Sequence, residues 1–375
     1  MKNPFRKACS FVRVATVSPQ TRPADIANNI ARILEAADAA VDQGATIIVY
    51  PELCITGYTC GDVFTLPSLL EAASTALVDV MEWTQTSEKP ATLVVGLPVL
   101  VDSHLYNMAA VVHDGRVLGL VPKIALPNAH EYYDARWFTS GSNLQRTEVD
   151  LGFGAIPCGT DLVFADSEDP RLVLAIEVCE DLWSAMPPSG WLAVSGATVI
   201  VNPSASTELV GKAAYRRTLV QQQSARTYSA YVYTSAGVGE STTDVVYGGH
   251  QIIAEAGEIL AESGRLLRER VVTVADIDLD RVVSARLDAT SWRQEPVRAV
   301  RRIAVDFALD QPPTVARPVR RRPFVPTAPD ERRQVAEDVM RIQTIGLAIR
   351  AERARARRLV IGVSGGLDST LALLV

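Results

Sequence analysis

Residues 171–183, RLVLAIEVCEDLW, decide how this chain is read. Leu172 to Val178 form an apolar run interrupted only by Glu177, with the length of a buried strand. The run stops at Cys179, and Glu180, Asp181 and Trp183 follow at once. A free cysteine usually packs as a small hydrophobe, so one reading is that Cys179 closes a core strand. The other is that the strand end presents a nucleophile.

Outward from this stretch, the first 60 residues read as strand, helix, strand. FVRVATV (11–17) is rich in β-branched residues, and Ile26, Ile30, Ile33, Leu34, Ala37 and Val41 recur at helical spacing. Asp25 falls in the first turn region and Gly44 follows the last periodic residue, as start and stop signals do. ATIIVYPE (45–52) resumes as a buried strand. Further apolar runs alternate with helical stretches at 68–83 and 212–228, and HDGR (113–116) between two apolar runs signals a hairpin. Residues 1–285 are therefore expected as one α/β domain with a mixed sheet or two packed sheets.

Composition then shifts. Residues 311–330 hold six prolines and four arginines and read as extended linker, which we place over 286–330. From 311 onward twelve arginines face six carboxylates, although the whole chain carries a net charge of −6. This asymmetry marks a second domain over 331–375: an arginine-rich helix to about 358, a buried strand LVIGV (359–363), the loop SGGLDST and the start of a helix. A nucleotide-binding domain needs more residues than these, so a fragment is expected.

The acidic balance argues against a general nucleic-acid surface, and no run approaches eighteen apolar residues, so no spanning helix is expected. The N-terminus lacks the apolar core of a signal peptide. Five scattered cysteines without a Cys-x-x-Cys pair suggest a reducing cytoplasm rather than a disulfide framework, and the four histidines do not cluster as zinc ligands.

Two more reactive side chains sit in contexts like that of Cys179. Glu52 follows ATIIVYP, and Lys123 follows GRVLGLVP. Each alone reads as a solvated or packing residue. As a set at three strand ends they can converge on one sheet edge.

Glu52 in YPELCITGY, Lys123 in PKIALPN and Cys179 in EVCEDLW resemble the Glu-Lys-Cys triad of the nitrilase superfamily, over roughly residues 10–285. EVCEDLW, NPSAS (202–206) and the attached SGGLDST are most similar to the glutamine-dependent NAD+ synthetases. The resemblance implies a four-layer α-β-β-α sandwich, followed by the start of a Rossmann-like ATP-pyrophosphatase domain. It implies Cys179 as nucleophile, Glu52 as general base and acid, and Lys123 as oxyanion donor, with no metal in the glutaminase domain. Glu131, eight residues after Lys123, matches a second glutamate that orients the lysine and the substrate. Tyr58, Glu180, Trp183, Ser206 and Lys212 match positions that contact glutamine. Two departures stand out: Lys212 falls where arginine is frequent, and Ala129 falls where related domains often place tyrosine, with Tyr132 and Tyr133 nearby.

In VIGVSGGLDSTLALLV (360–375) a strand runs through a glycine turn into a helix, a cradle for phosphate oxygens. Ser364, Gly365, Gly366, Asp368 and Ser369 are the expected ATP contacts, with Asp368 either capping the helix or helping to hold Mg2+ through the pyrophosphate. No Walker pattern is present. The resemblance further implies nicotinate adenine dinucleotide as acceptor of the ammonia, and a homo-oligomer. Two other readings stay open: a nitrilase-type amidase acting on another small amide, and a catalytically silent module used for assembly.

Overall fold

The computed structural model describes residues 10–307, 309, 314–319 and 321–375. Cys9, the N-terminal stretch weighed as a leader, and parts of the proline-rich segment lie outside the described residues.

The chain enters through β1 (Phe11–Ser18), crosses α1 (Ile26–Asp42) to β2 (Ile47–Val49), and crosses α2 (Pro67–Thr86) to β3 (Thr92–Val101). Both crossovers return parallel strands, as helical connections do. Helix α1 starts on Asp25, whose carboxylate accepts from the Asn28 N–H, and it stops before Gly44 at φ +82°. β4 (His104–His113) and β5 (Arg116–Pro122) then fold back as hairpins. At the second hairpin Asp114 and Gly115 have φ of +45° and +69°, the left-handed pair that a two-residue turn needs.

After α3 (Asp134–Trp137) and the ribbon β6 (Glu148–Asp150) and β7 (Ala155–Pro157), a similar plan recurs. It comprises β8 (Leu162–Asp166), β9 (Val173–Ile176), α4 (Pro188–Val194), β10 (Val199–Ser204), α5 (Lys212–Thr227), β11 (Ala230–Ser235), β12 (Gln251–Glu255) and β13 (Glu258–Glu262). β14 (Val271–Asp278) rejoins the first sheet beside β1. α6 (Leu279–Asp288) leads to β15 (Arg301–Val305), which pairs in parallel with β8. The sheets run β14-β1-β2-β3-β4-β5 and β13-β12-β11-β10-β9-β8-β15.

Strand alternation assigns each side chain to one of three apolar layers. On β1, Val12 and Val14 face the second sheet, and Ala15 and Val17 face α1 and α2. On β10, Val199 and Val201 meet the first sheet, and Ile200 packs with Leu192 of α4 and Val220 of α5. Both faces of these strands are buried, so their sequences are continuous apolar runs rather than alternating ones. The result is the four-layer α-β-β-α sandwich.

Contacts divide the chain into two compact units, Met1–Arg317 and Pro318–Val375. The linker expected from residue 286 therefore begins too early. Residues 301–305 form an edge strand of the second sheet, and Arg317 binds the buried Glu255 carboxylate at 2.8 Å. RRIAV is too short and too basic to read as a strand, and only the prolines after it mark the linker. The second unit holds α7 (Pro329–Arg353) and α8 (Leu367–Leu374), neither with a buried residue. LVIGV, expected as a buried strand, has no strand assignment, and Val360 is 95% exposed. A strand needs a neighbour for its N–H and C=O groups, and among the described residues none pairs with it.

Candidate active site

Glu52 is delivered by a tight turn after β2. Tyr50 still donates to Val94 O on β3 at 2.9 Å, and the Glu52 N–H reaches across to Ser204 O of the second sheet at 3.3 Å. Leu53 then turns the chain through φ +51°. Gly96 on β3 makes room for this turn: a Cβ there would lie 2.3 Å from Leu53 N. Lys123 leaves β5 with its own N–H bound to Asn107 O at 2.9 Å.

The side chains converge. Lys123 Nζ donates to Glu52 Oε1 and to Asp134 Oδ2, each at 2.6 Å. Asn107 Nδ2 donates to the same Glu52 oxygen at 2.7 Å, and the Tyr58 hydroxyl donates to Asp134 Oδ1 at 2.5 Å. Lys123 and Glu52 are each 1% exposed and Asp134 is 2% exposed. Burial opposes the lysine's charge, yet Asp134 and Glu52 outweigh it and hold the ammonium well above its usual pKa. Burial pushes Glu52 up, partly offset by Lys123.

Cys179 opens a 3-10 turn, Cys179–Trp183, at the end of the β9 segment, in the left-handed region at φ +49°. Non-glycine residues hold that conformation only where the surroundings enforce it. Its thiol lies close enough to Glu52 to stabilise the carboxylate, while Glu52 Oε2 has no bond of ordinary geometry. Burial, then the negative Glu52, push the thiol's pKa well up, while Lys123 and the Ala205 N–H oppose this. Burial and the neighbouring carboxylate thus favour the neutral thiol over the thiolate.

A cavity of about 610 Å3 opens onto Cys179, lined by Glu180, Trp183, Ser206, Lys212 and Glu131 among others. Lys212 Nζ donates to Thr207 Oγ1 at 2.8 Å and to the Tyr132 hydroxyl at 3.1 Å, and lies over the Tyr132 and Trp183 rings. Burial lowers its pKa. Tyr132 and Ala129 both line the cavity, and Tyr132 is pinned by Thr207 and Lys212. The Ser206 hydroxyl accepts from the buried Arg216 at 3.0 Å.

Two expectations change. Glu131 does not bind Lys123; it accepts from Thr207 Oγ1 at 2.7 Å and stands 4.0 Å from Lys212. Asp134 is the acid on the lysine, and in EYYDARW (131–137) spacing alone cannot tell which carboxylate turns inward. Tyr58 lines not the Cys179 cavity but a neighbouring one of about 220 Å3, with Asp134, Tyr247 and Glu131. Asn107 and Glu240, which binds the N–H groups of Tyr58 and Thr59 at 2.9 and 3.0 Å, were also missed. Asn107 lies inside an apolar run, YNMAAVV, and one polar residue there is the available signal.

In the second unit Gly365 takes φ +84° and Gly366 precedes α8. Ser369 Oγ accepts from the Ser364 N–H at 3.2 Å, and the two hydroxyls lie 3.1 Å apart. Asp368 is in the first turn of α8. The hydroxyls of Ser369 and Thr370 donate to Gly366 O, and the Gly366 N–H donates to Ser364 Oγ, so the loop's polar groups bond one another.

A two-sheet sandwich with a buried carboxylate, ammonium and sulfur at its strand ends is the arrangement expected of a carbon-nitrogen hydrolase. The chain belongs to the carbon-nitrogen hydrolase family, whose profile matches residues 13–287. It is similar to the glutamine-dependent NAD(+) synthetase of Mycobacterium tuberculosis, 42% identical over 374 residues, 97% of this chain and 54% of that protein. The human protein of that name is 29% identical over 306 residues, 80% of this chain and 43% of the relative. The chain thus spans about half the length of the curated relatives it matches. The crystal structure of a glutamine-dependent NAD(+) synthetase from Cytophaga hutchinsonii superposes with a TM-score of 0.63 at 30% identity, covering 71% of this chain and 43% of that one. An amidase from Nesterenkonia sp. AN1 shares the fold, with a TM-score of 0.56 at 21% identity over 76% of this chain and 98% of its own. Among the described residues no helix is long and apolar enough to cross a membrane.

Proposed function

We propose that this chain is the glutamine-hydrolysing part of a glutamine-dependent NAD+ synthetase, with the first segment of its ATP-using part. The observation that carries this is the buried Glu52–Lys123 contact of 2.6 Å behind Cys179, which itself lines a cavity. Residues 13–287 supply the glutaminase, and the unit from Pro318 onward begins the synthetase.

Cys179 Sγ attacks the side-chain amide carbon of glutamine while Glu52 takes the thiol proton. The C–O double bond opens to an oxyanion, which the Lys123 ammonium stabilises. Collapse breaks the C–N bond, and Glu52 returns the proton to the departing ammonia. Glu52 then deprotonates water, which attacks the thioester; glutamate leaves and the thiol is restored. Asp134 and Asn107 fix Lys123 and Glu52 throughout. Glu180 suits the substrate's ammonium, Lys212 its carboxylate, and Trp183 its methylenes, with Ser206 at the cavity wall.

In the whole protein the ammonia would amidate nicotinate adenine dinucleotide after its activation by ATP, releasing AMP and pyrophosphate. Ser364, Gly365, Gly366 and Ser369 would hold the pyrophosphate. Asp368 offers one carboxylate to Mg2+, an ion that takes most of its octahedral oxygens from phosphate and water. The resemblance also supports a homo-oligomer, and the buried free thiols Cys54, Cys60 and Cys158 suit a reducing cytoplasm.

A second reading, hydrolysis of another small amide, is favoured by Ala129 and by a lysine at 212, a point charge in place of a two-pronged guanidinium. Ammonia release from glutamine, asparagine and simple aliphatic amides separates the two. The proposal expects glutamine to be preferred at least tenfold in kcat/KM; a preference for a substrate without the α-amino acid group overturns it.

A further inference from the structure

The site contains a third buried carboxylate, Asp181, to which the reaction above gives no part. It is 1% exposed, and its oxygens bind two separate loops. Oδ2 accepts from the N–H of Val178, the residue before the nucleophile, at 2.9 Å. Oδ1 accepts from the N–H groups of Ile124 and Ala125, the residues after Lys123, at 3.0 and 2.7 Å. A carboxylate that only capped the 3-10 turn would need the first bond alone. The other two reach 57 and 56 residues back along the chain, from the second sheet's strand end to that of the first. Among the described residues no other side chain bonds the backbone N–H groups of both loops. The Lys123 backbone is also held by Asn107 O and the Gly141 N–H, and its ammonium by Glu52 and Asp134; what the Asp181 bonds add is a tie from this loop to the Cys179 turn.

We infer that Asp181 is a positioning residue: by tying the Cys179 turn to the Lys123 loop through three backbone N–H groups, it sets the spacing between the attacking sulfur and the ammonium that receives the oxyanion. This rests on the amide-hydrolysis reading. Attack on an amide needs both groups in register, because the charge develops one bond away from the new C–S bond. Alkylation of the thiol by iodoacetamide generates no oxyanion, so it needs sulfur and Glu52 but not the lysine. The two chemistries therefore report differently on the clamp.

The test is Asp181→Asn in the full chain. The amide keeps the shape and one acceptor oxygen, but presents a donor to N–H groups on one side. The account expects glutamine kcat to fall at least ~30-fold with KM within ~3-fold, while iodoacetamide alkylation of Cys179, followed on its own peptide, slows less than ~3-fold. Unchanged turnover in a folded variant overturns the inference. So does alkylation falling in step with turnover, which would mean general collapse of the site. If the variant does not fold, hydrogen exchange on the unsubstituted chain decides. The Ile124, Ala125 and Val178 amides should exchange slowly and together, and rapid exchange at Ile124 and Ala125 contradicts the clamp. An unsubstituted chain that releases no ammonia from any amide would instead defeat the functional reading on which the inference rests.

Discussion

At the residue scale the chemistry turns on proton ownership. Burial pushes the thiol of Cys179 toward its neutral form, and the base that the proposed mechanism assigns to it is Glu52, itself raised by burial. Activity requires Glu52 ionised, so raising its pKa moves the acid limb of kcat/KM to higher pH than the ordinary 4.5 of a glutamate. Lys123 must stay protonated, and its pKa is shifted upward, so no alkaline limb should come from it below its usual 10.5. A pH profile of ammonia release checks both limbs; an acid limb at or below 4.5 would contradict the burial argument. Glu52→Gln should cost ~10²–10⁴ in kcat, the usual worth of a general base. Asp134→Asn should cost at least ten times more in kcat than Glu131→Gln, because only Asp134 touches the lysine. Equal losses would return the orienting role to Glu131. Glu52, Lys123 and Cys179 were legible because each follows an apolar run. Asp134 was not, because it opens the one-turn helix α3 directly after Glu131, Tyr132 and Tyr133, and spacing does not say which of these side chains turns inward.

At the element scale, backbone approach matters as much as side-chain identity. Gly96 lies under the Glu52–Leu53 turn, and an added methyl would meet backbone rather than a movable side chain. Gly96→Ala is therefore expected to lower kcat by at least tenfold with the circular dichroism spectrum retained; a fully active variant would show that the turn yields freely. Core strands behave differently. Ile200 lies between the second sheet and its helices, so Ile200→Ala should lose ~2–5 kcal/mol of stability, read from denaturant unfolding. Helix α1, helix α5 and the HDGR hairpin could be read from period and turn chemistry, because those signals are local. The edge strand β15 and the irregular LVIGV could not, since a strand is defined by its neighbour and no local pattern states whether one is there.

At the scale of the whole molecule, three apolar layers hold two sheets and their helices together, and the active-site groups come from both sheets. Lys123 and Glu52 hang from one sheet and Cys179 from the other, so the sandwich must be closed for the site to exist. The tail of the first unit belongs to this closure: β15 extends the second sheet, and Arg317 pairs with the buried Glu255 carboxylate and donates to the Asp276 carbonyl. A chain cut after Arg317 should keep its cooperative unfolding, and one cut after residue 285 should lose several degrees of Tm. Indistinguishable unfolding of the two would show that the tail is dispensable. Two-domain composition was legible from proline and arginine content, but the boundary was not, because composition marks where packing is poor and not where the last strand ends.

The most direct measurement is peptide mapping after treatment with a glutamine-shaped electrophile such as a diazoketone analogue, with ammonia release followed in parallel. The account predicts one adduct, on the peptide that contains Cys179, formed at the rate at which glutaminase activity disappears and blocked by excess glutamine. An adduct on any other residue, or full inactivation with Cys179 unmodified, would contradict it.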